Sequence, residues 1–174
     1  MLKLIRKSLP IALTLAAVAA GQSATFPQNH PADFSFRGID GPAVTSESLH
    51  GQVAVLAFGA SWLPLTRTQM EGLKKLADEY ANRGVAVYWI STESDSQKSK
   101  NFASDEQLRA LGQKYKLTVL RDPDGVVSKK LGVDQLPSIV LLDKQGNISG
   151  APIGGMDPEG SLVGQLAPRL DKLL

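Results

Sequence analysis

Thiol chemistry is closed to this chain of 174 residues, because it contains no cysteine. Its two histidines, His30 and His50, are too few and too far apart for a metal site of recognisable spacing, so both read as solvated loop residues. No metal and no cofactor are assigned. The segment that concentrates functional side chains is Phe58-Gly59-Ala60-Ser61-Trp62-Leu63-Pro64-Leu65-Thr66-Arg67. It follows an apolar run and precedes a helical pattern, so its side chains stand where a strand hands over to a helix. Thr66 offers a hydroxyl, but no base is apparent in the sequence, and a first-turn threonine bonded to backbone is the simpler reading. Trp62 reads either as a recognition aromatic or as a half-buried ring that packs the helix start. Leu63, Pro64 and Leu65 form an apolar tip, which is a docking patch if exposed and a capped turn if covered.

The elements that must position this segment are legible on both sides of it. VAVLAF over 53–58 is apolar at nearly every position, as a strand covered on both faces should be. From Thr66 to Asn82, the residues Met70, Leu73, Ala77 and Tyr80 recur on one helical face, and Gly84 closes the helix. VAVYWI over 85–90 predicts a second buried strand, so the chain runs strand, helix, strand in a parallel crossover. Upstream, Phe34 and Phe36 alternate with polar neighbours before an Asp40-Gly41 turn, which predicts a short edge strand or hairpin.

Downstream, Glu93 to Glu106 reads as a solvated loop and helix start, and Ser104 with Gln107 forms a capping box ahead of Leu108, Leu111 and Tyr115. Asp122-Pro123-Asp124-Gly125 is a turn before a short segment from Val126 to Leu131. SIVLL over 138–142 is a strand that Lys144-Gln145-Gly146-Asn147 turns back into a short partner around Ile148. Asp157-Pro158-Glu159 predicts the cap and first turn of a last helix with Leu162, Leu166, Leu170 and Leu173 on one side. Strands near Val53, Val85, Val119, Ser138 and Ile148 then make one central mixed sheet with helices on both faces, an α/β architecture.

Composition limits what such a scaffold serves. With 43% hydrophobic residues the chain is long enough for one cored domain and short for two. Residues 1–24 differ in kind: a basic start at Lys3, Arg6 and Lys7, an apolar run from Leu9 to Ala20, then small residues. That is the layout of a cleaved secretory signal. The run contains Pro10 and falls short of the roughly 20 residues that span a bilayer, so an uncleaved anchor is the minor alternative. Residues 25–31 form a polar lead-in with two prolines, and 32–174 the domain. The leader carries three basic residues and no acid, so without it the formal charge of +2 falls to −1. A near-neutral domain gives no electrostatic case for nucleic acid. No membrane span is expected in the mature chain.

With these elements in place, the segment at 58–67 resembles the thioredoxin-type pattern F-x-A-S-W-C-x-x-C-R with both sulfurs gone: Leu63 stands at the first position and Thr66 at the second. DFSFRGIDGPAVTSESLHGQVAVLAFGASW, DPDGVVSKKLGVDQLPSIVLLDKQGNI and GGMDPEGSL resemble the TlpA-like thiol-disulfide oxidoreductases of the redoxin group, which are exported. The resemblance implies a thioredoxin-like three-layer fold. It also implies a cis-proline at Pro137, in Gly132-Val133-Asp134-Gln135-Leu136-Pro137, facing the active-site segment beside backbone that pairs with an extended peptide.

In that group a low-pKa thiolate attacks a disulfide and a second thiol resolves it. Here neither Leu63 nor Thr66 can do so, Gln69 stands where many members carry a glutamate, and Ala57 where relatives often carry Asp or Asn. Leu63, Thr66 and Gln69 are thus degenerate active-site positions, and no residue is assigned as catalytic. The leading reading is a redox-inactive envelope protein, periplasmic or extracellular, that binds a polypeptide partner through Trp62, Leu63, Pro64, Leu136 and Pro137. Two alternatives are a thiol-disulfide oxidoreductase or peroxiredoxin-like antioxidant that borrows a thiol, and a structural assembly subunit that binds through its helical surface.

Overall fold

A computed structural model describes residues 31–155 and 160–174. The apolar run over 53–58 becomes an interior strand of the sheet. Strand β3 (Val53–Gly59) is buried at every residue. It pairs in parallel with β4 (Val85–Ser91) on one side and antiparallel with β6 (Ser138–Leu142) on the other. Both neighbours remove its backbone from water while helices cover its faces, which is why no polar residue interrupts it. The remaining strands are β1 (Ser35–Gly38), β2 (Val44–Thr45), β5 (Thr118–Arg121) and β7 (Ile153–Gly154). Their order across the mixed sheet is β2-β1-β5-β4-β3-β6-β7.

Helix α1 (Thr66–Tyr80) joins β3 to β4, and α2 (Asp105–Tyr115) joins β4 to β5. Met70, Leu73, Leu76 and Tyr80 of α1 and Leu108 of α2 pack with Leu162, Leu166 and Leu170 of α4 (Leu162–Leu173) against Val55, Ala57 and Trp89 on one sheet face. The other face is closed by Phe34, Phe36, Leu49, Leu131 and Val133 over Leu56, Phe58 and Ile90. There the short α3 (Val126–Lys130) contributes Val127. Each such side chain, when fully buried, contributes roughly 1.5–3 kcal/mol. The predicted α/β layering with helices on both faces is what the chain adopts.

Local signals are realised where they are self-contained. The Ser104 hydroxyl accepts from Gln107 N–H at 3.1 Å while the Gln107 side chain accepts from Ser104 N–H at 2.9 Å, completing the capping box. Gly84 takes a φ of +75°, which lets the chain reverse from α1 into β4. The Leu136–Pro137 peptide is cis.

Three expectations need correction. Ile148 makes only an isolated bridge to Leu142, and the strand that returns along β6 is Ile153–Gly154, because the residues between them are spent on a turn. The strand from Val85 is fully buried only from Trp89 onward: β5 joins it at Tyr88, so its first half faces an open flank. Helix α4 begins under the Ser161 side chain, which accepts from Gly164 N–H at 3.3 Å. The cap expected at Asp157-Pro158-Glu159 lies outside the described residues, as do residues 1–30 with the leader and His30.

Candidate functional site

Where β3 ends, the chain turns through Ala60–Leu65 and enters α1 with its carbonyls already engaged. Leu63 N–H donates to Ala60 O at 3.1 Å, Thr66 N–H to Leu63 O at 3.0 Å and Gln69 N–H to Leu65 O at 2.9 Å. Thr66 is buried and its hydroxyl donates to Ala60 O at 2.5 Å. The hydroxyl at the second sulfur position therefore fastens the turn and faces no base. Leu63, at the first sulfur position, is half-buried at the tip.

Gln69 is fully buried, and its two amide ends serve opposite partners. Its Oε1 accepts the indole N–H of Trp89 at 2.9 Å, and its Nε2 donates to Phe58 O at 3.4 Å. The site is tight: a Cβ added at Gly59 would lie 3.0 Å from both Gln69 Oε1 and Trp89 Nε1. A carboxylate would match the indole donor but not the Phe58 carbonyl, so the amide suits this position. Ala57 is buried in the core beside this pair and exposes nothing polar.

Three residues that shape the site escaped the sequence reading. Glu93, read as part of a solvated loop, is 1% exposed. Its carboxylate accepts from Ser61 N–H at 2.8 Å, Ser61 Oγ at 2.7 Å and Ser91 Oγ at 3.0 Å, so it clamps the turn directly before Trp62. Arg121 is also buried; it donates to Glu93 O at 3.3 Å, Ser94 O at 2.9 Å and Asp105 Oδ1 at 2.6 Å. Arg37 reaches the same Asp105 carboxylate with two bonds of 2.8 Å. Arg37 foremost, and Arg121 with it, hold the Asp105 carboxyl well below the usual carboxylate range. Asn101, the third, receives the indole N–H of Trp62 at 2.7 Å. The available signal for Glu93 was its place directly after a buried strand; for Arg121, a cation at the end of an apolar one.

Trp62 is 65% exposed and Leu136 37%. Together with Leu63 and Val133 they line a groove of about 420 Å³ that also reaches Asp124 and Asp134. Of the five candidate peptide-binding residues, the groove thus unites Trp62, Leu63 and Leu136. Pro64 is exposed but does not line it, and Pro137 is buried with its carbonyl accepting Gly155 N–H at 3.0 Å. The β3–β6 pairing ends with Phe58 opposite Ser138, the residue that follows the cis-proline. Among the described residues, neither the N–H nor the carbonyl of Leu136 has a backbone partner outside regular elements. A wider hollow of about 590 Å³ between Gly38–Pro42 and α2 shares no lining residue with this groove. His50 is exposed, and no group of three metal-ligating side chains occurs among the described residues.

A mixed sheet of this order, with the tip after its central strand facing a cis-proline loop, defines a thioredoxin-like protein. Residues 27–151 match the AhpC/TSA family, and the chain belongs to it. It is 32% identical over 143 residues to the thiol:disulfide interchange protein DsbE of Pseudomonas aeruginosa, covering 81% of this chain and 73% of that protein. It is 30% identical over 128 residues to the thioredoxin-like protein YneN of Bacillus subtilis, covering 71% and 69%. Among solved structures, MTB dsbF in its mixed oxidized and reduced forms superposes with a TM-score of 0.64 at 25% identity, over 83% of this chain and 97% of that one. The resemblance to thiol-disulfide oxidoreductases is therefore borne out at the level of family and fold.

Proposed function

We propose that this protein is an exported member of the redoxin family that carries out no thiol chemistry and holds an extended polypeptide in the groove of Trp62, Leu63 and Leu136. One observation carries the reading: the chain has no cysteine, while the walls that would surround the sulfurs stand as an accessible apolar groove. Disulfide exchange and peroxide reduction by this family's route need a cysteine thiol that cycles between oxidation states, and no cysteine is encoded. Strand-like pairing with backbone and contact with apolar side chains need no sulfur. The backbone of Leu136, which is in no regular element and has no backbone partner among the described residues, supplies the first and the exposed Trp62 face the second. Export rests on the layout of residues 1–24.

The test is binding of an unfolded, cysteine-free polypeptide, followed by fluorescence polarisation, beside insulin reduction with a dithiol donor. Leu63→Asp places a charge in the apolar contact and weakens binding about ten-fold, on the order of 1.4 kcal/mol. The half-buried site lets the fold survive, so the melting temperature holds. Insulin turnover stays at the donor-only background. Binding that ignores Leu63→Asp, or turnover that scales with protein concentration, contradicts the reading.

A further inference from the structure

Trp62 is widely exposed, yet its one polar atom is already engaged. The indole N–H donates to Asn101 Oδ1 at 2.7 Å, and because an indole nitrogen only donates, the facing amide atom must be the oxygen. Asn101 is itself fixed: its N–H donates to Ser99 Oγ at 3.1 Å and its carbonyl accepts Ser94 N–H at 2.8 Å. The Ser94 carbonyl is held from beneath by the buried Arg121 at 2.9 Å. Ser61, the residue before Trp62, is held by Glu93 through both its N–H and its hydroxyl. The ring is thus tethered at its edge and at its backbone, and both tethers converge on Glu93 and Ser94.

A partner segment that covers Trp62 therefore buries an N–H that is already paired and meets only the apolar π-face of the ring. Leu63, Val133 and Leu136 continue that apolar surface. The charged side chains that line the groove are Asp124, Asp134 and Lys129, two carboxylates against one ammonium, so the groove carries a net negative charge. We propose that Asn101 is the specificity-determining residue of this groove, fixing Trp62 as an apolar platform that selects an extended peptide with a bulky apolar side chain next to a lysine or arginine. The inference rests on the polypeptide-binding reading above and names the class of segment that is bound.

The experiment uses the full chain and three short cysteine-free peptides that differ only at a central pair: Phe-Arg, Ser-Arg and Phe-Glu. Phe-Arg binds most tightly, and Ser-Arg about ten-fold more weakly because the apolar anchor is lost. Phe-Glu is weaker several-fold at low salt, and this gap narrows as salt screens the carboxylates. Asn101→Leu, which removes the acceptor, weakens Phe-Arg about five-fold and speeds solvent exchange of the Trp62 indole proton in NMR spectra. Asn101→Asp, which keeps an acceptor oxygen, restores both, and neither variant moves the melting temperature. Equal binding of Phe-Arg and Ser-Arg, no penalty for Phe-Glu at low salt, or undiminished Phe-Arg binding by Asn101→Leu overturns the inference alone. Failure of all three peptides to bind the unsubstituted protein overturns the polypeptide-binding reading and the inference with it.

Discussion

Gln69 answers two neighbours with opposite needs, a donor on Trp89 and an acceptor on Phe58, inside a fully buried pocket. Gln69→Glu keeps the acceptor for Trp89 but sets a carboxylate oxygen against the Phe58 carbonyl. Burial without that second partner raises the carboxyl pKa above its unfolded value of about 4.3. The sign follows: below that value the folded variant and the unfolded chain are both protonated and the charge costs nothing. As pH rises, the unfolded chain loses its proton first, so the variant's deficit grows until the folded pKa is passed. We expect Gln69→Glu to lose on the order of 1–3 kcal/mol at neutral pH relative to the unsubstituted protein and less in acid, measured by urea unfolding across pH. A deficit independent of pH would refute this account of the pocket. Thr66 is likewise structural: its hydroxyl fastens the turn to Ala60 O.

Between elements, Asp105 is the junction that matters most, because the first residue of α2 ties β1 through Arg37 and β5 through Arg121. Arg121 is buried and also carries the two carbonyls behind the groove, so the ion chain extends to the wall that holds Trp62. The depressed Asp105 pKa sets the pH window. Its contribution is complete above the unfolded carboxyl value of about 3.9 and is lost as pH falls toward the folded one. Since Asp105 is partly exposed, Asp105→Asn should cost about 1–2 kcal/mol at neutral pH, with the difference fading in acid, read from chemical unfolding at several pH values. A difference that persists unchanged in acid would assign the loss to packing.

What is legible in the sequence is local, and what is not depends on remote partners. β3, α1, β6 and the Ser104 capping box are written in local periodicity and spacing, and the chain folds as they specify. The burial of Glu93 is not legible because its partner Ser61 lies 32 residues away, and nothing local marks a carboxylate as buried. Arg121 and Asn101 act through partners as remote as the Asn101–Trp62 pair, 39 residues apart. The two-residue β7 is too short to carry a pattern, so the sequence points to Ile148, which makes only an isolated bridge. The tip at Trp62 and Leu63 was found by its motif, whereas the wall that holds it comes entirely from tertiary contacts.

Across the whole molecule, the mixed sheet, the turn from β3 into α1 and the cis-proline loop are all present, and the chain carries no cysteine. No helix among the described residues is long and apolar enough to cross a membrane. Two surfaces then compete as the place of action: the groove at the tip of β3 and the outer faces of α1, α2 and α4. They are separated by mapping the backbone amide resonances of the protein by NMR while a cysteine-free unfolded polypeptide is titrated in. Polypeptide binding at the groove predicts that the largest shifts fall on Ser61–Leu65 and Val133–Leu136, with the Trp62 indole N–H still protected by Asn101. Shifts concentrated on the exposed helical faces, or none at saturating polypeptide, would contradict it.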